Sequence, residues 1–355
     1  MRAAAGTPGR VPTSATRPRP APRLRRADCT GPGLRRRRHG RGFVYLDPDG
    51  ARIDDSEVLG RIHELVIPPA WADVWICPYP GGHIQATGLD DKGRKQYLYH
   101  PRWRARRDQA KFADMVVFAR ALPELRAHVE REMELADLSR EHVLACAVRL
   151  LDRGFFRVGG EDYAVTNNSY GLATMLKRHV VLRGDVLLFD YPAKSGKRRV
   201  QAVVDPLVAE VVARLKARRG GGPELLAYKQ GRRWEDVRSE DINEYLKDAT
   251  GEDVSAKDFR TWGATVLAAV ALAVSGEVAE TKTGRKRAVS RAVKEVAHYL
   301  GNTPAVARAS YIDPRVFDRY RDGRTIGGAL TLVADNGDAP AIQGPVEDAV
   351  LDLIT

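Results

Sequence analysis

Toward its C-terminus the chain reads GNTPAVARASY from Gly301 to Tyr311, and this stretch decides the fold of the region around it. Gly301 is expected to end an apolar helix, because glycine readily adopts the left-handed conformation that closes helices. Thr303 is a typical N-cap and Pro304 suits the first position of a helix, so a second helix begins at once. The pair Asp313-Pro314 then predicts the end of this short helix.

The turn and the far end of the short helix each carry a polar side chain. Asn302 lies on the turn, and Tyr311 follows about two helical turns later, so an amide and a phenol could face one small ligand. A capped helix with a surface tyrosine would give the same sequence. The choice between these interpretations depends on Arg and Lys residues in segments upstream.

The composition is typical of a soluble globular protein with room for two or three domains. The chain has 355 residues, of which 43% are hydrophobic and 29% charged. Its longest apolar run, 264–274, is too short to span a membrane. The three cysteines, Cys29, Cys77 and Cys146, are far apart and odd in number, which favours a reduced, cytoplasmic setting.

The net charge of +12 invites a nucleic-acid interpretation, but most of it belongs to one segment. Residues 1–41 contain twelve arginines and one acid, whereas the chain after Gly327 contains acids and no Lys or Arg. A DNA-binding hypothesis therefore rests on basic residues inside folded segments rather than on the net charge.

The pattern along the chain predicts an α+β fold in four parts. Residues 1–33 are rich in Arg and Pro without periodicity and are expected to be disordered. Short alternating runs predict a small, mainly antiparallel-β domain at 34–100, with a helix near 56–65. Helical periodicity predicts a larger, mostly α-helical domain at 101–326, and residues 327–355 are interpreted as an acidic C-terminal tail.

Inside the helical part the sequence predicts one β-hairpin. The runs VLLFDY (186–191) and RRVQAVV (198–204) flank AKSGK (193–197), which places Lys194 on the hairpin loop. Helices are expected at 104–120, 122–134, 140–153, 205–218, 239–247, 256–274, 287–300 and 304–311.

Several reaction classes have no support in the sequence. It contains no phosphate-binding Gly-x-x-x-x-Gly-Lys-Ser/Thr loop, no dinucleotide-binding Gly-x-Gly-x-x-Gly after a strand and no His-Glu-x-x-His. No Gly-x-Ser-x-Gly elbow occurs, and none of the eight histidines has metal-ligand spacing to another. We therefore expect no metal, no cofactor and no ATP-driven chemistry.

Three basic residues upstream have contexts suited to binding an anion. Arg157 follows a helix that ends at Gly154 and lies next to two phenylalanines, while Lys194 is on the hairpin loop. Arg260 falls near the start of a helix after Ser255, where backbone N–H groups also favour an anion. Each has a simpler interpretation, as a salt-bridged arginine or a solvated loop lysine.

Together these segments resemble the type IB DNA topoisomerase family, in the small poxvirus-like form found in bacteria. The resemblance runs from roughly Leu34 to Thr325, with its motifs in the family's order. The segments that carry it are Arg157 with YAVTNNSYGL (163–172), Lys194 on its hairpin, KDFRTW (257–262), GNTP (301–304) through Tyr311, and DKGRKQYLY (91–99).

The resemblance implies an isomerase that cuts and rejoins one DNA strand without ATP or a required metal. Tyr311 would attack a phosphodiester and form a 3′-phosphotyrosyl intermediate. Arg157 and Arg260 would bind the charged phosphoryl oxygens, and Lys194 would act as general acid on the leaving 5′-oxygen. Viral members carry histidine at the position of Asn302, so here a non-titrating hydrogen-bond donor replaces an imidazole.

The resemblance also implies a monomer whose two domains clamp duplex DNA mainly through phosphates, without a membrane partner and in a cytoplasmic, nucleoid-associated location. Viral members have lysines near their equivalent of Tyr163, where this chain reads GED at 160–162. This difference argues against the viral pentanucleotide preference. The DNA-contacting residues implied are Arg94, Lys95, Gln96, Tyr97, Tyr99, Tyr163 and Lys197.

Two other functions stay open from the sequence. A tyrosine recombinase shares the nucleophile and much of the pocket, but such proteins usually have a His-x-x-Arg box where this chain reads KDFR at 257–260. A non-catalytic DNA-binding protein is the other alternative, and the complete set of five catalytic residues argues against it.

Overall fold

The chain divides into two compact units, Met1–Gln109 and Ala110–Thr355, and the division falls inside one long helix. The α+β fold class predicted from the sequence is confirmed, because an antiparallel sheet dominates the first unit and helices dominate the second. The computed structural model describes residues 23–135, 137–276, 281–335 and 343–355.

The described residues of the first unit form an antiparallel sheet and one short helix, and the unit ends within the long helix. Its strands are β1 (Leu34–His39), β2 (Gly42–Leu46), β3 (Ala72–Ile76), β4 (Ile84–Leu89) and β5 (Lys95–Tyr99). They hydrogen-bond in the order β2-β1-β3-β4-β5, which leaves β5 at one edge. Helix α1 (Ser56–Glu64) begins where the Asp55 carboxylate accepts the backbone N–H of Val58.

The strand register gives this sheet a core face and an opposite face. Leu34 of β1, Ile76 of β3 and Ala86 of β4 are aligned across adjacent strands. They pack with Ile62 of α1 in one apolar cluster. Because successive side chains alternate along a strand, the odd-numbered residues of β5 point away from this cluster.

Residues 23–33 pack along the sheet, although the sequence analysis placed them in a disordered segment. The Arg25 N–H donates to the Gly81 carbonyl at 2.9 Å, and the His83 N–H donates to the Arg25 carbonyl at 2.9 Å. Backbone pairing orders this stretch, and backbone pairing leaves no periodic signal in an Arg- and Pro-rich composition. Residues 1–22 of that predicted segment lie outside the described residues.

The rest of the chain is mainly helical. The helices are α2 (Pro101–Met133), α3 (Arg140–Gly154), α4 (Glu161–Asn167), α5 (Pro206–Ala217), α6 (Ser239–Thr250), α7 (Ala256–Gly276), α8 (Lys282–Leu300), α9 (Pro304–Ser310), α10 (Pro314–Arg321), α11 (Gly327–Asp335) and α12 (Pro345–Ile354). The strands are β6 (Val180–Arg183), β7 (Val186–Ala193), β8 (Lys197–Val204), β9 (Ala227–Gln230) and β10 (Arg233–Asp236). No helix within the described ranges is both long and apolar enough to cross a membrane.

The predicted β-hairpin is present as β7 and β8. These strands pair antiparallel from Val186 opposite Val204 up to the tip, and β6 adds a third strand beside β7. A single 3₁₀ turn, Lys194–Gly196, joins the two strands. The lysine that starts this turn therefore occupies the loop position expected from the sequence.

Helix α2 is continuous where the sequence analysis expected two helices. The expected break lay beside Pro123, which is inside the observed helix. Proline removes one backbone donor from a helix interior, but Leu122 and Leu125 on either side are each 1% exposed and belong to the core of the helical unit. Burial of this apolar side keeps the segment helical through the proline.

The acidic C-terminal segment, which the sequence analysis set apart as a tail, contains a helix that packs onto the core. Val346, Val350 and Ile354 are four residues apart in α12 and share one side of it. All three are buried in the main apolar cluster. An apolar stripe of this short length is easily overlooked in a segment that has acids and no bases.

Candidate active site

Arg260 lies near the start of α7 and is buried, with 3% of the residue exposed. Its Nη1 donates to the Phe155 carbonyl at the end of α3, and its Nη2 donates to the Leu300 carbonyl at the end of α8, at 2.9 Å. One guanidinium therefore joins three helices. Asp258, two residues before it, accepts the N–H and hydroxyl of Ser255.

Arg157 follows α3 and is fixed through its backbone. The helix ends with Phe155 in the left-handed conformation, at φ 51°. The Arg157 carbonyl then accepts the Leu172 N–H at 2.8 Å. Just beyond, Gly159 lies so close to Gly171 that a Cβ on Gly171 would be 2.4 Å from the Gly159 Cα. Two glycines allow this close approach, which anchors the segment that carries the arginine.

The turn between α8 and α9 positions Asn302. Gly301 has φ 62°, and its N–H donates to the His298 carbonyl at 3.0 Å. The Asn302 N–H donates to the Ala297 carbonyl at 2.9 Å, which completes a Schellman motif. The Asn302 Oδ1 accepts from the Arg157 Nη2 at 2.5 Å. Its Nδ2 is buried without a hydrogen-bond partner in the described part of the chain, so this N–H group can serve a ligand.

Tyr311 lies at the end of α9, whose start is capped by the Thr303 hydroxyl, the acceptor of the Val306 N–H at 3.3 Å. The Arg260 Cζ is 5.2 Å from the centroid of the half-buried Tyr311 ring. Burial opposes ionisation of the phenol, but the charges of Arg260 and Arg157 together outweigh burial and lower the pKa of Tyr311. A larger fraction of this phenol is therefore ionised at a given pH than of an ordinary tyrosine.

A pocket of about 340 Å³ brings four of the five predicted catalytic residues together. Arg157, Lys194, Arg260 and Tyr311 all line it. Asn302 lines a neighbouring groove of about 680 Å³, whose wall also includes Arg157 and Lys194. The five side chains come from different elements of the helical unit and line these two spaces, which share Arg157 and Lys194; Lys194 is the most exposed of the five.

Two further cations line the same spaces, and the sequence analysis did not include them among the catalytic residues. Arg199 of β8 lines the groove, and its Nη2 donates to the Tyr299 carbonyl at 2.7 Å. Burial, together with repulsion from Arg157, lowers the pKa of the Arg199 guanidinium. Lys257 lines the pocket, and it is the first residue of the KDFRTW motif. Arg199 was harder to identify from the sequence, because it was only one basic residue among several after the hairpin tip.

This arrangement suits an anion with several oxygens. Planar guanidinium groups match phosphoryl oxygens, and a buried amide N–H adds a neutral donor. A phenol beside them is placed to attack the anion, and an exposed ammonium can deliver a proton. Among the residues that the structure describes, no group of three or more His, Cys, Asp or Glu side chains could hold a metal ion.

The predicted DNA-contacting residues in the segment 94–99, which contains β5, fall into two groups. The exposed ones are Lys95, Tyr97 and Tyr99. The two tyrosine rings stack with centroids 6.1 Å apart. Arg94 and Gln96 instead hydrogen-bond to the Asp90 carboxylate, at 2.9 and 3.0 Å. Both side chains are thus oriented by the Asp90 carboxylate.

The remaining predicted DNA contacts lie in the helical unit. Lys197 begins β8 and lines the groove beside Arg199. Tyr163 belongs to α4, but its side chain lies outside the described part of the structure. The start of α4 is fixed by Glu161, whose carboxylate accepts the Ser239 N–H at 2.9 Å.

Comparison with known proteins gives two family matches. The catalytic core of eukaryotic DNA topoisomerase I matches residues 100–324, and the N-terminal domain of bacterial DNA topoisomerase IB matches residues 42–90. A DNA topoisomerase 1B of Acanthamoeba polyphaga mimivirus is 28% identical over 297 residues, which cover 82% of this chain and 88% of the relative. A DNA topoisomerase 1 of rabbit fibroma virus (strain Kasza) is 22% identical over 300 residues, covering 78% and 89%. A DNA topoisomerase 1B of vaccinia virus (strain Copenhagen) is 19% identical over 236 residues, covering 66% and 72%.

Proposed function

This chain belongs to the type IB DNA topoisomerase family, and from this premise we propose that it relaxes supercoiled duplex DNA by cutting one strand through Tyr311 and resealing it. The observation that carries the proposal is the pocket in which the Tyr311 phenol lies beside the Arg157 and Arg260 guanidiniums. A nucleophile next to two phosphate-binding groups is what strand transfer requires.

In the cleavage step the Tyr311 oxygen attacks a phosphodiester phosphorus. A phenol oxygen–phosphorus bond forms while the bond from phosphorus to the 5′-oxygen breaks, which leaves a 3′-phosphotyrosyl end. Lys194 gives a proton to the departing 5′-oxygen, and the phenol loses its own proton as it attacks. Reversal of the step reseals the strand, and the covalent intermediate makes an external energy source such as ATP unnecessary.

The charge that develops on the phosphoryl oxygens is met by groups already in place. Arg260 is held by two helix-end carbonyls, and Arg157 is held by the Asn302 amide. That bond fixes the orientation of the Asn302 amide, and its Nδ2, which has no partner among the described residues, can donate to an oxygen of the phosphate. Donors fixed before the reaction need no reorganisation in the transition state, and each is typically worth about 3 kcal/mol.

We propose duplex DNA as the partner of a monomeric enzyme associated with the nucleoid. On β5, Lys95 and the stacked pair Tyr97 and Tyr99 offer a cation and two rings with polar hydroxyls, a combination suited to phosphates and sugars. Such contacts carry little sequence information, so binding should be salt-dependent and weakly selective. Rotation of the cut strand about the intact one, driven by torque, would relax supercoils of either sign.

The test is relaxation of supercoiled plasmid by purified protein in EDTA, without ATP. We expect a ladder of topoisomers from both positively and negatively supercoiled DNA, and no ladder from the Tyr311→Phe variant. That variant should still bind duplex DNA, because only the attacking oxygen is lost. Activity that fails in EDTA and returns with magnesium and ATP together would contradict the proposal, and recombinant products from paired sites would identify a recombinase instead.

A further inference from the structure

Helix α12 is attached to the helical core through one carboxylate, that of Glu347, in addition to its apolar stripe. The Glu347 Oε2 accepts the Arg126 Nη1 at 2.5 Å, and the Oε1 accepts the Arg126 Nη2 at 3.0 Å, so the ion pair is bidentate. The same Oε1 accepts the indole N–H of Trp262 at 2.8 Å. The Glu347 side chain is 12% exposed, which leaves these bonds weakly screened by water.

The partners of this carboxylate, Arg126 on α2 and Trp262 on α7, connect it to the elements that carry the two catalytic arginines. Arg126 also donates to the Asp152 carboxylate, at 2.8 Å from Nε and 2.9 Å from Nη2. Asp152 is in the last turn of α3, which leads directly into Arg157. Trp262 lies in α7 two residues after Arg260 and is 3% exposed.

Two further residues of the C-terminal segment hydrogen-bond to the carboxylates of Asp152 and Glu347. Gln343 Nε2 donates to the Asp152 Oδ2 at 2.9 Å, and the Gly344 N–H donates to the Glu347 Oε2 at 3.1 Å. Residues 343–355 lie beyond the part of the chain that matches the catalytic-core family. The contact is therefore an addition to that core, made by a segment whose composition suggested only an acidic tail.

We propose that Glu347, Arg126, Asp152 and Trp262 form a clasp in which Glu347 is a positioning residue for Arg157 and Arg260. This inference rests on the proposed function, since it concerns the geometry of the same pocket. The clasp ties the end of α3 to α7, and the pocket needs both elements in register. A displacement of about 1 Å in a positioned group can reduce a rate by about 100-fold, so a distant carboxylate can affect the chemical step.

The variants separate positioning from simple attachment of the helix. Glu347→Gln keeps the shape of the side chain and removes its charge, while Trp262→Phe keeps a buried ring and removes only the N–H donor. Asp352→Asn is the matched control, because it also removes one acid from α12 but at an exposed position. Each variant is prepared in the full chain, and measurements are made well below its melting temperature.

The first measurement is single-turnover cleavage of duplex DNA at saturating enzyme. We expect Glu347→Gln to cleave about 10- to 100-fold more slowly, with duplex affinity little changed and with the Asp352→Asn rate equal to wild type. A substrate with a 5′-bridging sulfur, which needs little protonation, should be slowed by the same factor, because the defect does not concern the general acid. Wild-type cleavage by both Glu347→Gln and Trp262→Phe would overturn the proposal, even if both variants melt earlier.

The second measurement does not require activity. Carbon-13 labelling at the tyrosine Cζ, with Tyr311→Phe to identify the signal, gives the pKa of Tyr311 by NMR titration. Because the arginines lower this pKa, their displacement in Glu347→Gln should raise it, while Asp352→Asn should leave it unchanged. A raised Tyr311 pKa in Glu347→Gln, together with no covalent adduct even in wild type, would support the clasp and contradict the proposed function. An active wild type, together with an unchanged pKa and an unchanged rate in Glu347→Gln, would contradict the clasp. If Glu347→Gln does not fold, the same rate and pKa are measured for Trp262→Phe, and the same outcomes apply.

Discussion

The contact between Gly159 and Gly171 makes Gly171→Ala the sharpest test of how Arg157 is positioned. A Cβ at position 171 would lie 2.4 Å from both the Cα and the N of Gly159 and 2.7 Å from the Arg157 carbonyl oxygen. Ordinary carbon contacts begin near about 3.5 Å. The two segments must therefore separate by about 1 Å to accommodate one methyl group.

The magnitude follows from what this separation disrupts. Overpacking of a buried contact costs about 1–3 kcal/mol. The bonds that link the segments, Leu172 N–H to the Arg157 carbonyl at 2.8 Å and Ala173 N–H to the Val158 carbonyl at 2.7 Å, are stretched as well. With about 1 kcal/mol for a weakened hydrogen bond, we expect the free energy of unfolding to fall by about 2–4 kcal/mol. The displaced guanidinium should slow cleavage by up to about 100-fold.

Gly160→Ala is the matched control for this substitution. A Cβ at position 160 would meet no atom within 4 Å, and its φ of −159° is extended backbone that alanine adopts freely. Urea denaturation and single-turnover cleavage are compared for the two variants. Equal stability and equal rates would refute the close approach. A destabilised Gly171→Ala enzyme that cleaves at the wild-type rate would refute the claim that this contact positions Arg157.

Three further predictions concern the chemical groups. Lys194→Ala should cleave ordinary DNA slowly and recover on a substrate with a 5′-bridging sulfur; equal rescue of an Asn302 variant would refute the general-acid role. Asn302→Ala should lose about 1–3 kcal/mol of transition-state stabilisation, whereas Asn302→His should retain most activity in single-turnover assays. Cleavage by Asn302→Ala at the wild-type rate would mean that the amide touches no phosphate. Arg157→Ala removes a cation that lowers the pKa of Tyr311, so the NMR titration midpoint of the phenol should rise; an unchanged midpoint would show that Arg157 does not act on this phenol.

The sequence predicted the local conformation around the site well, because short-range rules apply there. The letters GNTP specified a helix end, a turn and a new helix start, and the structure has these features at Gly301 and Pro304. The hairpin tip at Lys194 followed from two strand-like runs that flank a glycine-containing loop. Such features depend on residues close in the chain, so composition and spacing are sufficient to identify them.

Long-range packing was harder to predict. The continuity of α2 through Pro123 depends on burial by distant parts of the chain, which outweighs the local preference of proline. The ordering of residues 23–33 comes from backbone bonds to a distant loop. Arg199 lines the groove because β8 passes the end of α8, and no sequence motif indicates that these two elements are close. Glu347 reaches Arg126 across more than two hundred residues, which no local pattern encodes.

The crowding of Arg157, Arg199 and Arg260 has a consequence for the folded state as a whole. Burial lowers the pKa of Arg199 and of Arg260, and repulsion among these guanidiniums lowers both further. An empty site therefore raises the free energy of the native protein, and a phosphate that neutralises the charges removes that penalty. By thermodynamic linkage the same free energy appears twice, as affinity for the polyanion and as resistance of the bound protein to unfolding. The protein therefore has its lowest free energy with a phosphate in the site, where occupancy and the free energy of unfolding rise together.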